Sequence, residues 1–245
     1  MTTKEEIAST TNTSTVVDSD DKIKYEILPD DYTQYDLSFK IIVIGDCGVG
    51  KSCLSIKATS NVFDNTYNAT VGFEFFTFNI KINDIIVKLQ IWDTCGQEVY
   101  RSLITNFYRN SSLCIVVYSI DSKRSFEGIE MWLKELRTFS SPDAKIFLIA
   151  NKVDLENKRE VTKEEGEAFM KQNKMDLFME ASAKTGINVQ EIFIRAAKML
   201  YLNHLKYKDN PLPNNNNNNA GQPNKKMALT NKRIDNKKKN TGGCC

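Results

Sequence analysis

The strongest constraint on the fold is a glycine-rich turn between a strand-like run and a helix-like run. Residues 39–44 are mostly apolar and rich in β-branched side chains, as in a buried parallel strand, and residues 53–58 suit the first turns of a helix. Between them lies Gly45-Asp46-Cys47-Gly48-Val49-Gly50-Lys51-Ser52. Glycines let backbone N–H groups converge on an anion, and the N-terminus of the following helix adds partial positive charge. This order of elements predicts a loop that binds the phosphates of a nucleotide.

Two side chains at the end of this turn match the chemistry of such a loop. Lys51 would reach the β- and γ-phosphates, and the Ser52 hydroxyl would ligate Mg²⁺. A fortuitous glycine-rich turn after a strand is the alternative interpretation, and the rest of the chain decides between the two.

Strand-like and helix-like segments alternate after the turn, which predicts a doubly wound α/β domain over residues 38–207 with helices on both faces of the sheet. The tight turn Asn83-Asp84 joins two strands as a hairpin, so one strand must be antiparallel. We expect a six-stranded, mostly parallel sheet, with strands at 39–44, 73–82, 85–92, 113–120, 146–150 and 177–180.

Polar motifs follow the predicted strands at the ends where such sheets bind ligands. They are Asp93, Asn151-Lys152-Val153-Asp154 and Ser182-Ala183-Lys184. The carboxylate of Asp154 can accept two hydrogen bonds from the ring N–H and the amino group of guanine. Adenine has no such pair of donors, and an unpaired buried acceptor costs about 1–3 kcal/mol. The motifs therefore predict one site that selects guanine.

Together these motifs resemble the small GTPases of the Ras superfamily, and in particular the Rab family. Lys88-Leu89-Gln90-Ile91-Trp92-Asp93-Thr94, followed by Gly96-Gln97-Glu98, is a Rab-like signature. The resemblance covers about residues 38–205 and the last two cysteines, and the Rab subfamily stays unassigned. It implies the P-loop NTPase (small G-protein) fold and a GTP/GDP switch that hydrolyses GTP and recruits effectors in vesicle traffic.

The resemblance also implies roles for individual residues. Gln97 would orient the attacking water. The phosphates would contact Asp46, Cys47, Gly48, Val49, Gly50, Lys51, Ser52, Cys53, Thr70 and Gly96, and Mg²⁺ would be held by Ser52, Thr70 and Asp93. Guanine would be bound by Phe63, Asn151, Lys152, Asp154, Ser182, Ala183 and Lys184, although Phe63 could also be an ordinary core residue. Effectors would recognise the aromatic side chains of Phe75, Trp92 and Phe107.

Two cysteines depart from the Rab pattern. Cys47 stands where Rab proteins usually have serine, and Cys95 replaces the usual alanine of Asp-Thr-Ala-Gly-Gln-Glu. Either both are tolerated, or hydrolysis is impaired and the protein is a constitutively GTP-loaded binding module. Residues 63–72 contain no arginine, so intrinsic turnover should be slow and an activating protein should supply the missing charge. An ATP-dependent P-loop kinase is a second alternative.

The two ends of the chain differ from the middle in charge and composition. Residues 1–37 hold three lysines against nine carboxylates and predict an acidic, mostly disordered arm. Residues 208–245 predict a disordered tail that contains Asn214–Asn219, a basic run and a terminal Cys244-Cys245. This ending is not a C-a-a-X box, but it resembles the Rab double cysteine, where both thiols receive geranylgeranyl groups. Two lipid chains with a basic run give firm membrane anchoring.

The remaining expectations concern location and partners. The chain has neither a signal peptide nor a run of about 18 apolar residues, so we expect cytosolic synthesis, lipid anchoring at the cytoplasmic face of a membrane, a cytosolic pool and reduced cysteines. The tail has no aromatic residue after Tyr207, which argues against nucleic acid binding. The resemblance implies a monomer that meets an exchange factor, an activating protein, effectors, a GDP-dissociation inhibitor and a prenylation escort.

Overall fold

The sheet has seven strands in the order β1-β3-β4-β2-β5-β6-β7. A computed structural model describes residues 23–63, 70, 72–94 and 107–209. The strands are β1 (Tyr25–Leu28), β2 (Leu37–Ile44), β3 (Phe73–Ile82), β4 (Ile85–Thr94), β5 (Leu113–Ser119), β6 (Lys145–Asn151) and β7 (Leu177–Glu180).

The α/β fold and the reversed strand agree with the sequence-based prediction. β3 pairs antiparallel with both β4 and β1, whereas β2, β4, β5, β6 and β7 pair in parallel. Among the strands of the described ranges, β3 is therefore antiparallel to the other six. The predicted count of six strands is wrong, because β1 adds a seventh at the edge of β3.

The helices are α1 (Lys51–Ser60), α2 (Lys123–Glu127), α3 (Ile129–Phe139), a 3-10 helix (Val153–Lys158), α4 (Lys163–Gln172) and α5 (Val189–Asp209). The spacing Thr162-x-x-Glu165 predicts a capping box, and α4 begins with one: the Thr162 hydroxyl accepts from the Glu165 N–H, and the Glu165 carboxylate accepts from the Thr162 N–H. The spacing of apolar residues predicts a single helix over 125–139, but the structure divides it at Gly128. The sequence also predicts a closing amphipathic helix over 189–205, and α5 extends four residues past that end.

Helices cover both faces of the sheet and bury two apolar cores. One core contains Leu54 of α1 and Phe193 of α5, and the other contains Trp132 and Leu136 of α3. Every residue of β5 is buried, because this central strand is covered on both faces. Within the described ranges, no helix combines the length and the apolar character that crossing a bilayer requires.

Residues 29–36, which precede β2, form hydrogen bonds to the β3–β4 hairpin. We call this segment the strap. The strap leads from β1 at the sheet edge, over β3 and β4, to β2. The buried Asn79 amide Nδ2 donates to the carbonyls of Pro29 at 2.8 Å and Asp30 at 3.2 Å. At the far end, the Asp36 N–H donates to the Ile86 carbonyl at 2.8 Å, and the Asp36 carboxylate accepts from the Ile86 N–H at 2.9 Å.

The predicted domain boundary at residue 38 therefore lies inside the sheet. Residues 23–36 belong to the fold, although the sequence predicts a mostly disordered arm over 1–37. The reason is tertiary: Tyr25 packs against the core, and the strap satisfies an amide that would otherwise be buried without acceptors. At the other end, α5 continues past the predicted boundary at residue 207 to Asp209. Residues 1–22 and 210–245 lie outside the described residues.

We expect Asn79→Ala to loosen the strap. The substitution removes the donor for the Pro29 and Asp30 carbonyls and should lower the free energy of strap opening by about 1–3 kcal/mol. Hydrogen exchange of the β1 amides measures this opening.

Thr77→Val is the matched control, because it removes a single exposed bond to the Asp30 carbonyl on the same face of β3. It should speed exchange much less than Asn79→Ala. Unchanged exchange in the Asn79 variant would show that the amide does not hold the strap.

Candidate functional site

The turn after β2 is built so that glycine alone fits at two positions. A Cβ atom on Gly45 (φ 140°) would lie 2.2 Å from the Val117 carbonyl oxygen, and one on Gly50 (φ 93°) would lie 2.4 Å from Asn151 Nδ2. The buried Lys51 Nζ donates to the carbonyls of Gly45 at 2.9 Å and Asp46 at 2.8 Å. The loop thus wraps around its own lysine, and the contact of Lys51 with phosphates stays a prediction.

Three oxygen-bearing side chains meet beside this loop. The hydroxyls of Ser52 and Thr70 lie 2.6 Å apart, and Ser52 also donates to Asp93 Oδ2. Burial raises the pKa of Asp93 to about 7, although the Ser52 hydrogen bond and Lys51 oppose this rise. The other oxygen, Asp93 Oδ1, is buried and has no hydrogen-bond partner within the described ranges.

These residues fit Mg²⁺, which prefers oxygen ligands. The unsatisfied Asp93 Oδ1 supplies a free acceptor, and a dication beside it would favour the ionised carboxylate. The three residues that the sequence predicts for Mg²⁺ are therefore together in space.

Asn151 joins the phosphate loop to the loop after β7. Its Nδ2 donates to the Val49 carbonyl at 2.8 Å, and its Oδ1 accepts from the Ala183 N–H at 3.2 Å. The side chain is fully buried. The two predicted halves of the site, one for phosphate and one for the base, are therefore linked by a single amide.

Asp154 is held by the loop after β7. Its Oδ1 accepts from the Ser182 hydroxyl at 2.6 Å, and its Oδ2 lies 4.0 Å from Lys184 Nζ. The Ser182 oxygen also accepts from the Thr185 N–H at 3.1 Å. Ser182 and Lys184 thus brace the carboxylate that would recognise guanine.

Lys152 and Phe63 flank this part of the site. Lys152 has φ 66°, and its Nζ lies 4.0 Å from Asp121 Oδ1, which also accepts from the Ser119 hydroxyl. The ion pair holds the ammonium and leaves the methylene stem available as an apolar surface. Phe63 packs against the core to which α1 and α5 contribute, and it stays partly exposed. Its core contact is present, and its contact with a base stays a prediction.

Four neighbouring rings form a surface cluster that we call the aromatic patch: the exposed Phe73 and Phe75 and the partly buried Trp92 and Phe107. The Trp92 ring lies 5.2 Å from Phe75 and 5.3 Å from Phe107 between centroids, so the predicted trio is contiguous. Phe73 lies 4.8 Å from Phe107 and is 50% exposed, and Phe75 is 48% exposed. Lys40 Nζ sits 5.3 Å from the Trp92 ring.

The segment that contains the phosphate loop, Asp93 and Asp154 matches the model of a known protein family. The Ras family model matches residues 40–202, which is more than half of the chain. The chain belongs to the Ras family. It is a small GTPase that binds GTP and GDP with Mg²⁺, and Ras-family proteins act with exchange factors, activating proteins and effectors. The expectation of a Ras-superfamily small GTPase is confirmed, and the kinase alternative is not supported.

Some predicted residues of this Ras-family site cannot be placed. Cys95, Gly96, Gln97, Cys244 and Cys245 lie outside the described residues, so their roles stay predictions. Cys47 and Gly48 lie exposed in the phosphate loop, Val49 is buried, and Cys53 is partly buried in the first turn of α1.

The motifs missed three residues that the structure brings to the site or to the aromatic patch. Asp121 pairs with Lys152, Trp132 donates its indole N–H to Asp46, and Phe73 enlarges the aromatic patch. Phe73 could have been found, because it shares the alternating face of β3 with Phe75. Trp132 could not, since its helical spacing is that of a core residue.

We expect cysteine reactivity to follow this geometry. Burial raises the pKa of Cys114 to about 12, so only about one molecule in 10,000 carries the thiolate at pH 8. Cys47 is exposed and should react with iodoacetamide far faster, and bound GDP should slow its labelling because it lies in the phosphate loop. Peptide mass spectrometry of the full chain measures both rates.

Labelling in denaturant is the control, where the two cysteines should react at similar rates. Rapid labelling of Cys114 in the native protein would contradict the burial. If the rate of Cys47 labelling were the same with and without GDP, the predicted position of Cys47 beside the phosphates would be contradicted.

Proposed function

We propose that this small GTPase is a Rab-like switch that recruits effectors in its GTP form and directs vesicle traffic. The observation that carries the proposal is the aromatic patch and its position. Three of its four rings lie on the two strands next to the Ser52, Thr70 and Asp93 cluster: β3 begins three residues after Thr70, and β4 contains both Trp92 and Asp93. A change at the γ-phosphate can therefore reach an exposed apolar surface over a few residues.

The switching chemistry follows from the roles proposed for these residues. Lys51 and the phosphate loop would bind the β- and γ-phosphates, while Ser52, Thr70 and Asp93 would hold Mg²⁺, which would neutralise phosphate charge. Thr70 and the Gly96 N–H contact the γ-phosphate only in the GTP form. Their contacts are lost on hydrolysis, so the two loops relax and the effector surface changes.

Turnover should be slow without a partner. Gln97 orients the attacking water, and residues 63–72 offer no arginine to stabilise the transition state in cis. An activating protein then supplies that charge. The competing possibility is a constitutively GTP-loaded binding module, in which Cys47 and Cys95 impair hydrolysis.

The tail would attach the switch to a membrane. We infer that Cys244 and Cys245 are geranylgeranylated with the help of an escort protein, and that a GDP-dissociation inhibitor withdraws the lipids into a cytosolic pool. The basic run would add attraction to an anionic cytoplasmic leaflet. The 36 residues beyond Asp209 could span at most about 120 Å if fully extended, which would let a monomeric domain reach partners away from the surface.

Single-turnover GTP hydrolysis tests the switch against the binding module. We expect wild-type protein to hydrolyse GTP slowly, on the order of 10⁻⁴ s⁻¹. Gln97→Leu should lower the rate at least tenfold, because it removes the group that orients water. If wild-type protein shows no turnover and the double variant Cys47→Ser/Cys95→Ala gains it, the binding module is the correct description.

Membrane fractionation tests the lipid anchor. Wild-type protein should divide between membranes and cytosol, and Cys244→Ser/Cys245→Ser should be entirely cytosolic. Each single variant should wash off more easily than wild type, since one lipid chain gives marginal, reversible binding. Cys114→Ala is the control for loss of a thiol elsewhere, because Cys114 lies in the core and is not one of the predicted nucleotide-binding residues. Membrane retention of the double variant would refute the anchor.

A further inference from the structure

An indole in α3 contacts the phosphate loop directly. Trp132 Nε1 donates to Asp46 Oδ1 at 2.8 Å, although the two residues are 86 positions apart in sequence. Trp132 is 1% exposed and belongs to the core on the α3 side of the sheet. A hydrogen bond from a buried N–H to a carboxylate is stronger than a neutral one.

The break between α2 and α3 makes room for this carboxylate. A Cβ atom on Gly128 would lie 3.0 and 3.1 Å from the two carboxylate oxygens of Asp46. Gly128 is also the residue before the first turn of α3, where the helix dipole favours a negative charge. Gly128 thus leaves space for the Asp46 carboxylate, and the Trp132 indole orients it.

The same residue orients the lysine of the loop. The Asp46 main-chain carbonyl accepts from Lys51 Nζ at 2.8 Å, while its side chain accepts from Trp132. Because the indole fixes the side chain and the ammonium contacts the main chain of the same residue, a displacement of the Asp46 backbone would disturb both contacts. The phosphate loop is therefore linked to α3 through one residue.

We propose that Trp132 is a positioning residue for the phosphate loop, which acts through Asp46 to slow the release of bound nucleotide. The inference rests on the guanine nucleotide binding of the proposed function and deepens it. In this account, α3 influences how long the nucleotide stays bound, and it does so through a residue outside the phosphate-loop motif.

A double-mutant cycle on GDP release tests the link. The full chain is loaded with fluorescent GDP and Mg²⁺, and release is followed after adding excess GDP. Trp132→Phe and Asp46→Ala should each speed release about tenfold, as expected for loss of a hydrogen bond to a charged group. The double variant should be no faster than either single variant, because both remove the same contact. Asp46→Asn keeps an acceptor oxygen and should speed release less than Asp46→Ala.

Leu136→Ala is the matched control for a purely structural effect. Leu136 is as buried as Trp132 in the same helix and has no hydrogen bond to Asp46, so its truncation should lower the melting temperature without a comparable change in release. The inference is overturned if Trp132→Phe leaves release unchanged. It is also overturned if the two effects multiply to about a hundredfold, or if Leu136→Ala speeds release equally.

Fluorescence gives a second test that does not depend on nucleotide release. The chain has two tryptophans, so Trp92→Phe leaves Trp132 as the single indole emitter. In that background, Asp46→Ala should shift the Trp132 emission, and identical spectra would contradict the contact. Failure of wild-type protein to retain GDP would instead refute the proposed function, so the two failures are distinguishable.

Discussion

The site depends on the buried side chain of Asn151, which fastens its two halves at a fixed separation. One end of the amide binds the phosphate loop at Val49, and the other binds the loop after β7 at Ala183. Both bonds are shielded from water, so neither half can shift without leaving a buried polar group unpaired. Gly50 is required for this contact, because a side chain there would occupy the space of the amide.

The parallel strands of the sheet bring the two halves of the site together. β2, β4, β5 and β6 run parallel, so their carboxyl ends lie side by side, and the phosphate loop, Asp93 and Asn151 lie at these ends. The aromatic patch lies at this same end of β3 and β4, because Phe75 pairs with Trp92, the neighbour of Asp93. The strap holds the far end of this hairpin, and it leaves the end with the patch exposed.

The sequence predicted the parts of the site that are local in the chain. The phosphate loop, the Asn151–Asp154 motif and the Thr162–Glu165 capping box are each made of residues a few positions apart, so their residue types and spacing identify them in the sequence. The missed features depend on distant contacts. β1 has only four residues and forms because β3 offers an open edge, and the division at Gly128 reflects the carboxylate of Asp46, 82 positions earlier. The indole of Trp132 is ambiguous in sequence for the same reason.

Guanine selection by Asp154 is the central claim, and calorimetric titration of the full chain with GDP and Mg²⁺ tests it most directly. Wild-type protein should bind GDP tightly and should not exchange it for ATP. Asp154→Ala should weaken GDP binding at least a hundredfold, because two hydrogen bonds to a charged carboxylate are lost. Glu156→Ala, an exposed position in the same 3-10 helix, should leave binding unchanged. Equal GDP affinity in the Asp154 variant, or effective competition by ATP, would contradict the account.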